Sequence, residues 1–152
     1  MKAGDTGEMN RDLPMESSLW KYINQTYVTK ERVKELADFR SSGVNFKLAL
    51  WNPGTNGVRY LKTLILNLCA SLGPEDWDRL RNIRNRHVGN PITVKYDQED
   101  ICLDYLQAAL ELRFIEKNLK INGSRIIEIG AGYGRTYHAI MSNYKIEDYY
   151  IV

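Results

Sequence analysis

The stretch Arg125-Ile-Ile-Glu-Ile-Gly-Ala-Gly-Tyr-Gly-Arg-Thr-Tyr-His-Ala-Ile-Met141 decides the fold. It opens on a short apolar run rich in isoleucine, passes through glycines at every second position, and continues with helical spacing. That order predicts a strand, a tight turn and an amphipathic helix. Gly130 and Gly132 are free to take backbone angles closed to other residues, and they let a ligand approach the main chain closely. The helix behind them begins with free N–H groups directed at such a ligand. Asn143 and Lys145 punctuate its end, and Asp148-Tyr-Tyr-Ile-Val152 reads as a second strand. Strand, helix and strand make one βαβ unit, which places the chain in the α/β class.

Upstream, almost everything reads as helix. Leu19, Trp20, Ile23 and Tyr27 share one helical face, and Thr29 is placed to cap a second helix carrying Val33, Leu36, Ala37 and Arg40 up to Gly43. Asn52-Pro53-Gly54 reads as a turn. Asn56 then caps a helix with Val58, Leu61, Ile65, Leu68 and Leu72, closed by Gly73. Pro74 suits the first position of the next helix, through Trp77, Leu80 and Ile83. Gly89-Asn90-Pro91 breaks the pattern, and Thr93 to Tyr96 reads as a short extended piece. Asp100 is expected to cap the longest helix, Ile101 to Lys120, with the stripe Ile101, Tyr105, Ala108, Leu112, Ile115 and Leu119. Asp97, Glu99, Asp100 and Asp104 gather at its start and Lys117 and Lys120 at its end, as the helix dipole favours. Asn122-Gly123 supplies a left-handed stop. The expected organisation is a polar flexible lead-in (1–17), a helical N-terminal region (18–120) and the start of an α/β domain (121–152).

The chain has 152 residues, 43% of them hydrophobic, with 21 Lys+Arg against 19 Asp+Glu. Disorder and a disulfide scaffold are thereby disfavoured, and one globular domain is the natural size. A net charge of +2 gives no electrostatic case for nucleic acid or an anionic membrane. Leu61 to Leu72, the most apolar stretch, is interrupted by Lys62 and Asn67 and falls short of the roughly 20 residues that span a bilayer. Residues 1–15 are polar and resemble neither a signal nor a transit peptide. Cys69 and Cys102 match neither a zinc spacing nor a secreted disulfide framework, so both are expected as buried thiols in a reducing, cytoplasmic setting without a metal site.

The glycine spacing discriminates among ligands. A dinucleotide fingerprint needs a third glycine where this chain has Arg135, and a phosphate loop needs a Gly-Lys-Ser/Thr sequence that the chain lacks. What remains is Glu-x-Gly-x-Gly-x-Gly, with Glu128 at the carboxyl end of the strand. This pattern resembles motif I of the class I S-adenosylmethionine-dependent methyltransferases. S-adenosylmethionine carries an ammonium and a sulfonium but no phosphate, so a carboxylate is useful there. The resemblance implies a Rossmann-like sheet and a cofactor site lined by Glu128, Gly130, Ala131, Gly132 and Gly134. Ile-Glu-Ile-Gly-Ala-Gly-Tyr-Gly-Arg behind a long helix, with Val-Gly-Asn-Pro at Val88 to Pro91, further resembles the sugar O-methyltransferases of bacterial polysaccharide and antibiotic gene clusters. That implies methyl transfer to a hydroxyl of a sugar or nucleotide-sugar. A full domain of that family has more strands than one βαβ unit, and the acidic residue that grips the ribose would fall at or just beyond Val152. The chain is accordingly expected to be the N-terminal part of such an enzyme, truncated, binding cofactor very weakly and inactive by itself.

Other residues carry bland and sharp readings together. His138 is a packed or exposed helical histidine, or a base. Tyr133 and Arg135 touch cofactor or acceptor, or form a solvated edge. Arg79, Arg81, Arg84, Arg86 and His87 make a solvated face, or a site for an anionic acceptor. Trp20, Trp51 and Trp77 suit core or interface anchors, with sugar stacking open to Trp51. No catalytic residue is assigned. The rival function is a non-catalytic helical interaction module with a structural C-terminal βα unit, for which self-association is the mark.

Overall fold

The computed structural model describes residues 17–26, 30–33, 36–40 and 57–152. Helices α1 (Ser18–Thr26) and α2 (Lys30–Val33) and a 3-10 turn, Leu36–Asp38, come first. Then follow α3 (Gly57–Ala70), α4 (Pro74–Asn82), strands β1 (Thr93–Tyr96) and β2 (Glu99–Cys102), and helix α5 (Leu103–Asn118). Strand β3 (Arg125–Glu128), helix α6 (Arg135–Asn143) and strand β4 (Asp148–Ile151) complete a mixed α/β architecture. β3 and β4 are parallel, with Arg125 opposite Asp148 and Glu128 opposite Ile151, and α6 makes the crossover. The quoted stretch and the strand that follows it therefore form the expected βαβ unit.

The largest departure from expectation lies at residues 97–102. Asp97 and Gln98 both take left-handed angles, φ 48° and 65°, the two-residue turn whose twist suits a hairpin. β1 and β2 pair antiparallel across it, Tyr96 with Glu99 and Val94 with Ile101. Glu99 to Cys102 are thus strand, and the long helix starts at Leu103, not Ile101. Ile101 still reaches the core, from a strand face rather than a helix stripe. Of the acidic cluster, Asp104 falls in the first turn of α5 as expected, whereas Asp97, Glu99 and Asp100 belong to the hairpin. Glu99 accepts from Arg81 Nε at 2.7 Å and Arg86 Nη2 at 2.9 Å, clamping the hairpin to the end of α4.

Two helix ends also differ. α3 stops at Ala70, where the Ser71 hydroxyl donates to the Leu68 carbonyl at 2.7 Å. Gly73 is not a left-handed stop but the extended residue before α4, with φ −80°. Its N–H donates to Asp76 Oδ2 at 3.3 Å, and Pro74 takes the first helical position. α5 ends at Asn118, so Lys120 lies beyond it and Leu119 is exposed.

One core runs from Leu61 and Ile65 of α3 through Leu80, Ile101, Leu106 and Leu112 to Ala139 and Ile140 of α6. α5 is its axis. Leu106 and Ala109, off the expected stripe, are buried like Tyr105 and Ala108, because neighbours cover this helix on several sides. Cys69 and Cys102 are buried free thiols. On α1, Ile23 is buried, whereas Leu19 and Trp20 are exposed. Tyr27, Thr29, Gly43, Trp51, the Asn52-Pro53-Gly54 turn, Asn56 and residues 1–16 lie outside the described residues. Among the described residues, no helix is long and apolar enough to cross a membrane, and no group of His, Cys, Asp and Glu could hold a metal ion.

Candidate functional site

β3 delivers Glu128 to its carboxyl end. The ladder runs on past it, with Val152 N donating to Glu128 O and Gly130 N to Val152 O, both at 2.9 Å. The chain then turns through Gly130, Gly132 and Gly134 at φ 73°, 59° and 85°. Gly134 N donates to Ala131 O at 2.9 Å inside the turn, and Gly134 caps α6 in the left-handed conformation. A Cβ at any of the three glycines would meet nothing within 4 Å. The glycines are thus demanded by backbone angle rather than crowding, and the space before them is open. Gly89 contrasts: a Cβ there would run into the Phe39 ring.

The carboxylate at the mouth of this turn is held from the next strand. Glu128 Oε2 accepts from the Tyr149 hydroxyl at 2.8 Å. Burial, and then the bond to Glu128, push the Tyr149 phenol well above its ordinary value. Tyr137 of α6 packs edge-on against the Tyr149 ring, centroids 5.0 Å apart.

Tyr133 and Arg135 are neither a solvated edge nor turned to the open side. The Tyr133 hydroxyl donates to Asp104 Oδ2 at 2.9 Å, and its ring meets Phe39 edge-on at 5.3 Å. Arg135 reaches back to the Asp104 carbonyl at 3.1 Å and Glu111 Oε1 at 3.0 Å. Both side chains fasten the turn to the first half of α5. His138 is half-buried with Nδ1 2.7 Å from the Tyr105 hydroxyl. Burial, reinforced by the Arg40 charge, lowers its pKa. It reads as a packed neutral imidazole.

The basic run is largely neutralised. Arg79 pairs with Asp76 at 2.9 Å and with Glu116, and Arg81 and Arg86 share Glu99. Arg86 Nη1 also donates to the Leu80 and Ile83 carbonyls at 2.6 and 2.9 Å. Trp77 stacks on Tyr96 at 5.5 Å with the Arg81 guanidinium over its ring, an anchor rather than a free platform. Arg84 and His87 remain exposed.

Sequence reasoning missed the buried pair of Arg40 and Asp104, 2.5 Å apart. Its signal was an arginine on an otherwise apolar helical face with Leu36 and Ala37. Asp104 was legible as a charge near a helix start, but its partner lies 64 residues away. Comparison of the chain with protein-family models, with curated proteins and with solved structures found no match, so function rests on the residues of the chain and their geometry.

Proposed function

We propose that the chain carries the cofactor-binding turn of a class I S-adenosylmethionine-dependent methyltransferase that methylates a hydroxyl of a sugar or nucleotide-sugar. The observation that carries this reading is one juxtaposition. A strand-end carboxylate, Glu128, directly precedes three left-handed glycines that face open space. The residues fit the cofactor. Glu128 offers a negative charge to its ammonium, and Gly130, Ala131, Gly132 and Gly134 let its methionine and ribose portions lie against the main chain. Arg135, tied back to α5, stands where a dinucleotide site would need a glycine. On this reading β3, α6 and β4 open a Rossmann-like sheet.

When bound, S-adenosylmethionine supplies the methyl group that the acceptor oxygen takes. The chain's own residues bind and orient: Tyr149 aims Glu128, and the turn admits the ligand. Alignment of acceptor and donor is the larger part of such catalysis. The base that removes the hydroxyl proton is not assigned. A cytoplasmic setting and a small-molecule acceptor accompany the proposal.

Calorimetric titration with S-adenosylhomocysteine, beside a Gly132→Val variant checked for folding, tests it. Weak, saturable binding abolished in the variant supports the reading. No saturable heat, or equal heat in both, overturns it.

One observation favours a second reading. Ile127 and Tyr150, paired across β3 and β4, are 68% and 55% exposed, although parallel strands are ordinarily covered on both faces. A non-catalytic interaction module would use such a face. A concentration-dependent dimer indifferent to S-adenosylhomocysteine would favour it.

A further inference from the structure

Asp104 stands where three parts of the fold meet. Its Oδ2 accepts from Arg40 Nε at 2.6 Å and from the Tyr133 hydroxyl at 2.9 Å, while its carbonyl accepts from Arg135 at 3.1 Å. All three nitrogens of the Arg40 guanidinium are engaged. Nε and Nη2 meet Asp104, Nη2 also meets Cys102 Sγ at 3.0 Å, and Nη1 donates to the carbonyls of Arg86 at 2.6 Å and Val88 at 3.1 Å. The two side chains are 1% and 8% exposed. Backbone bonds fix the same segment, with Arg40 N donating to Gly89 O at 2.9 Å.

The glycine turn has little to hold it from within. Gly130, Gly132 and Gly134 pack against nothing that a Cβ would touch, and glycines lose the most freedom on ordering. Tyr133 sits between two left-handed glycines, and its hydroxyl is fastened to Asp104. The guanidinium beside that carboxylate fixes the position from which its Oδ2 accepts.

We infer that Arg40 and Asp104 are positioning residues for the glycine turn: the ion pair fixes the carboxylate that holds the Tyr133 hydroxyl, and through Tyr133 the turn keeps the open form a ligand enters. Loosening the turn lowers the fraction of molecules competent to bind, and apparent affinity falls with that fraction. The effect on affinity rests on the cofactor reading. The effect on turn order does not.

Amide hydrogen exchange on the full chain, followed by NMR, separates the two. Gly134 N–H reports closure of the turn onto Ala131, and Gly130 N–H reports the sheet through Val152. Tyr133→Phe removes only the hydroxyl. It is expected to speed exchange at Gly134 by about tenfold, with Gly130 unchanged and the melting temperature lowered by no more than the few degrees that one hydrogen bond is worth. Arg40→Lys keeps the charge but cannot span carboxylate and carbonyls together, so it is expected to speed Gly134 as well. The double variant is expected to be no faster than the faster single, because both act through one hydroxyl. Unchanged exchange at Gly134 in Tyr133→Phe, parallel acceleration at Gly130, or additive effects in the double variant would each overturn the inference.

Titration of the same samples with S-adenosylhomocysteine adds the affinity arm. A fall in affinity by the factor by which the closed fraction of the turn falls, taken from the Gly134 protection factor, supports the link between order and binding, and a loss of affinity with that fraction unchanged contradicts it. A wild-type chain that binds nothing would remove the cofactor reading, and the exchange result would still decide the positioning role.

Discussion

The Tyr149 hydroxyl donates to Glu128 Oε2 across the β3–β4 pair at 2.8 Å, so the carboxylate beside the glycine turn is aimed by the neighbouring strand. Tyr149→Phe is expected to cost about 0.5–1.5 kcal/mol of stability, the net worth of one ordinary hydrogen bond. It should also weaken S-adenosylhomocysteine binding less than Glu128→Gln, which removes the charge itself. Calorimetry on the two variants ranks them, and a Glu128→Gln chain that binds as well as wild type would remove Glu128 from the site.

One buried phenol, Tyr105, and three half-buried ones, Tyr133, Tyr144 and Tyr149, set the response to alkali. Burial holds Tyr105, Tyr133, Tyr144 and Tyr149 above the ordinary value, with Tyr144 pushed up to about 12. The unfolded chain releases these protons near pH 10 while the folded chain keeps them, so the unfolded state binds fewer protons and stability falls as pH rises. The contribution is complete below about pH 10 and is lost progressively toward the folded values. Urea midpoints between about pH 9 and about pH 11 should decline, with a shallower slope in Tyr133→Phe; a flat profile would contradict the burial of these groups.

Breaking the Arg40–Asp104 pair from one side leaves a buried carboxylate without its cation. Arg40→Met is expected to cost about 3–5 kcal/mol. Arg125→Met, which removes an exposed arginine paired with Glu147 and Asp148, should cost at most about 1 kcal/mol. Urea unfolding of both variants checks the contrast, and equal losses would contradict it.

Two left-handed glycines should respond differently to alanine. Gly134→Ala meets only backbone strain, about 1–2 kcal/mol, because no atom lies near the added carbon. Gly89→Ala carries similar strain and also collides with the Phe39 ring, so it should cost more. Comparison of their thermal midpoints tests this, and a larger loss at Gly134 would contradict the open turn.

The βαβ unit was legible because its signals are local. The isoleucines of β3, the alternating glycines and the apolar spacing of α6 each act within a few residues. Residues 97–102 were not legible for the opposite reason. Asp97 and Gln98 adopt left-handed angles without a glycine, and Ile101 is apolar at a spacing that serves strand and helix alike. Within the candidate site, the glycine turn was legible from its spacing, and Glu128 was singled out by the resemblance that the turn carries. The anchoring of Tyr133 and Arg135 to α5 was not legible, since both partners lie more than 20 residues upstream. The same distance hides the pairing of Arg81 and Arg86 with Glu99, which turns an apparent cationic run into a clamp.

The most direct test of the central claim is an NMR titration of the chain with S-adenosylhomocysteine, followed at every backbone amide. The account predicts saturable shifts concentrated at Glu128, Gly130, Ala131, Gly132 and Gly134. Saturable shifts centred on Arg84 and His87, or no shifts at any amide, would contradict it.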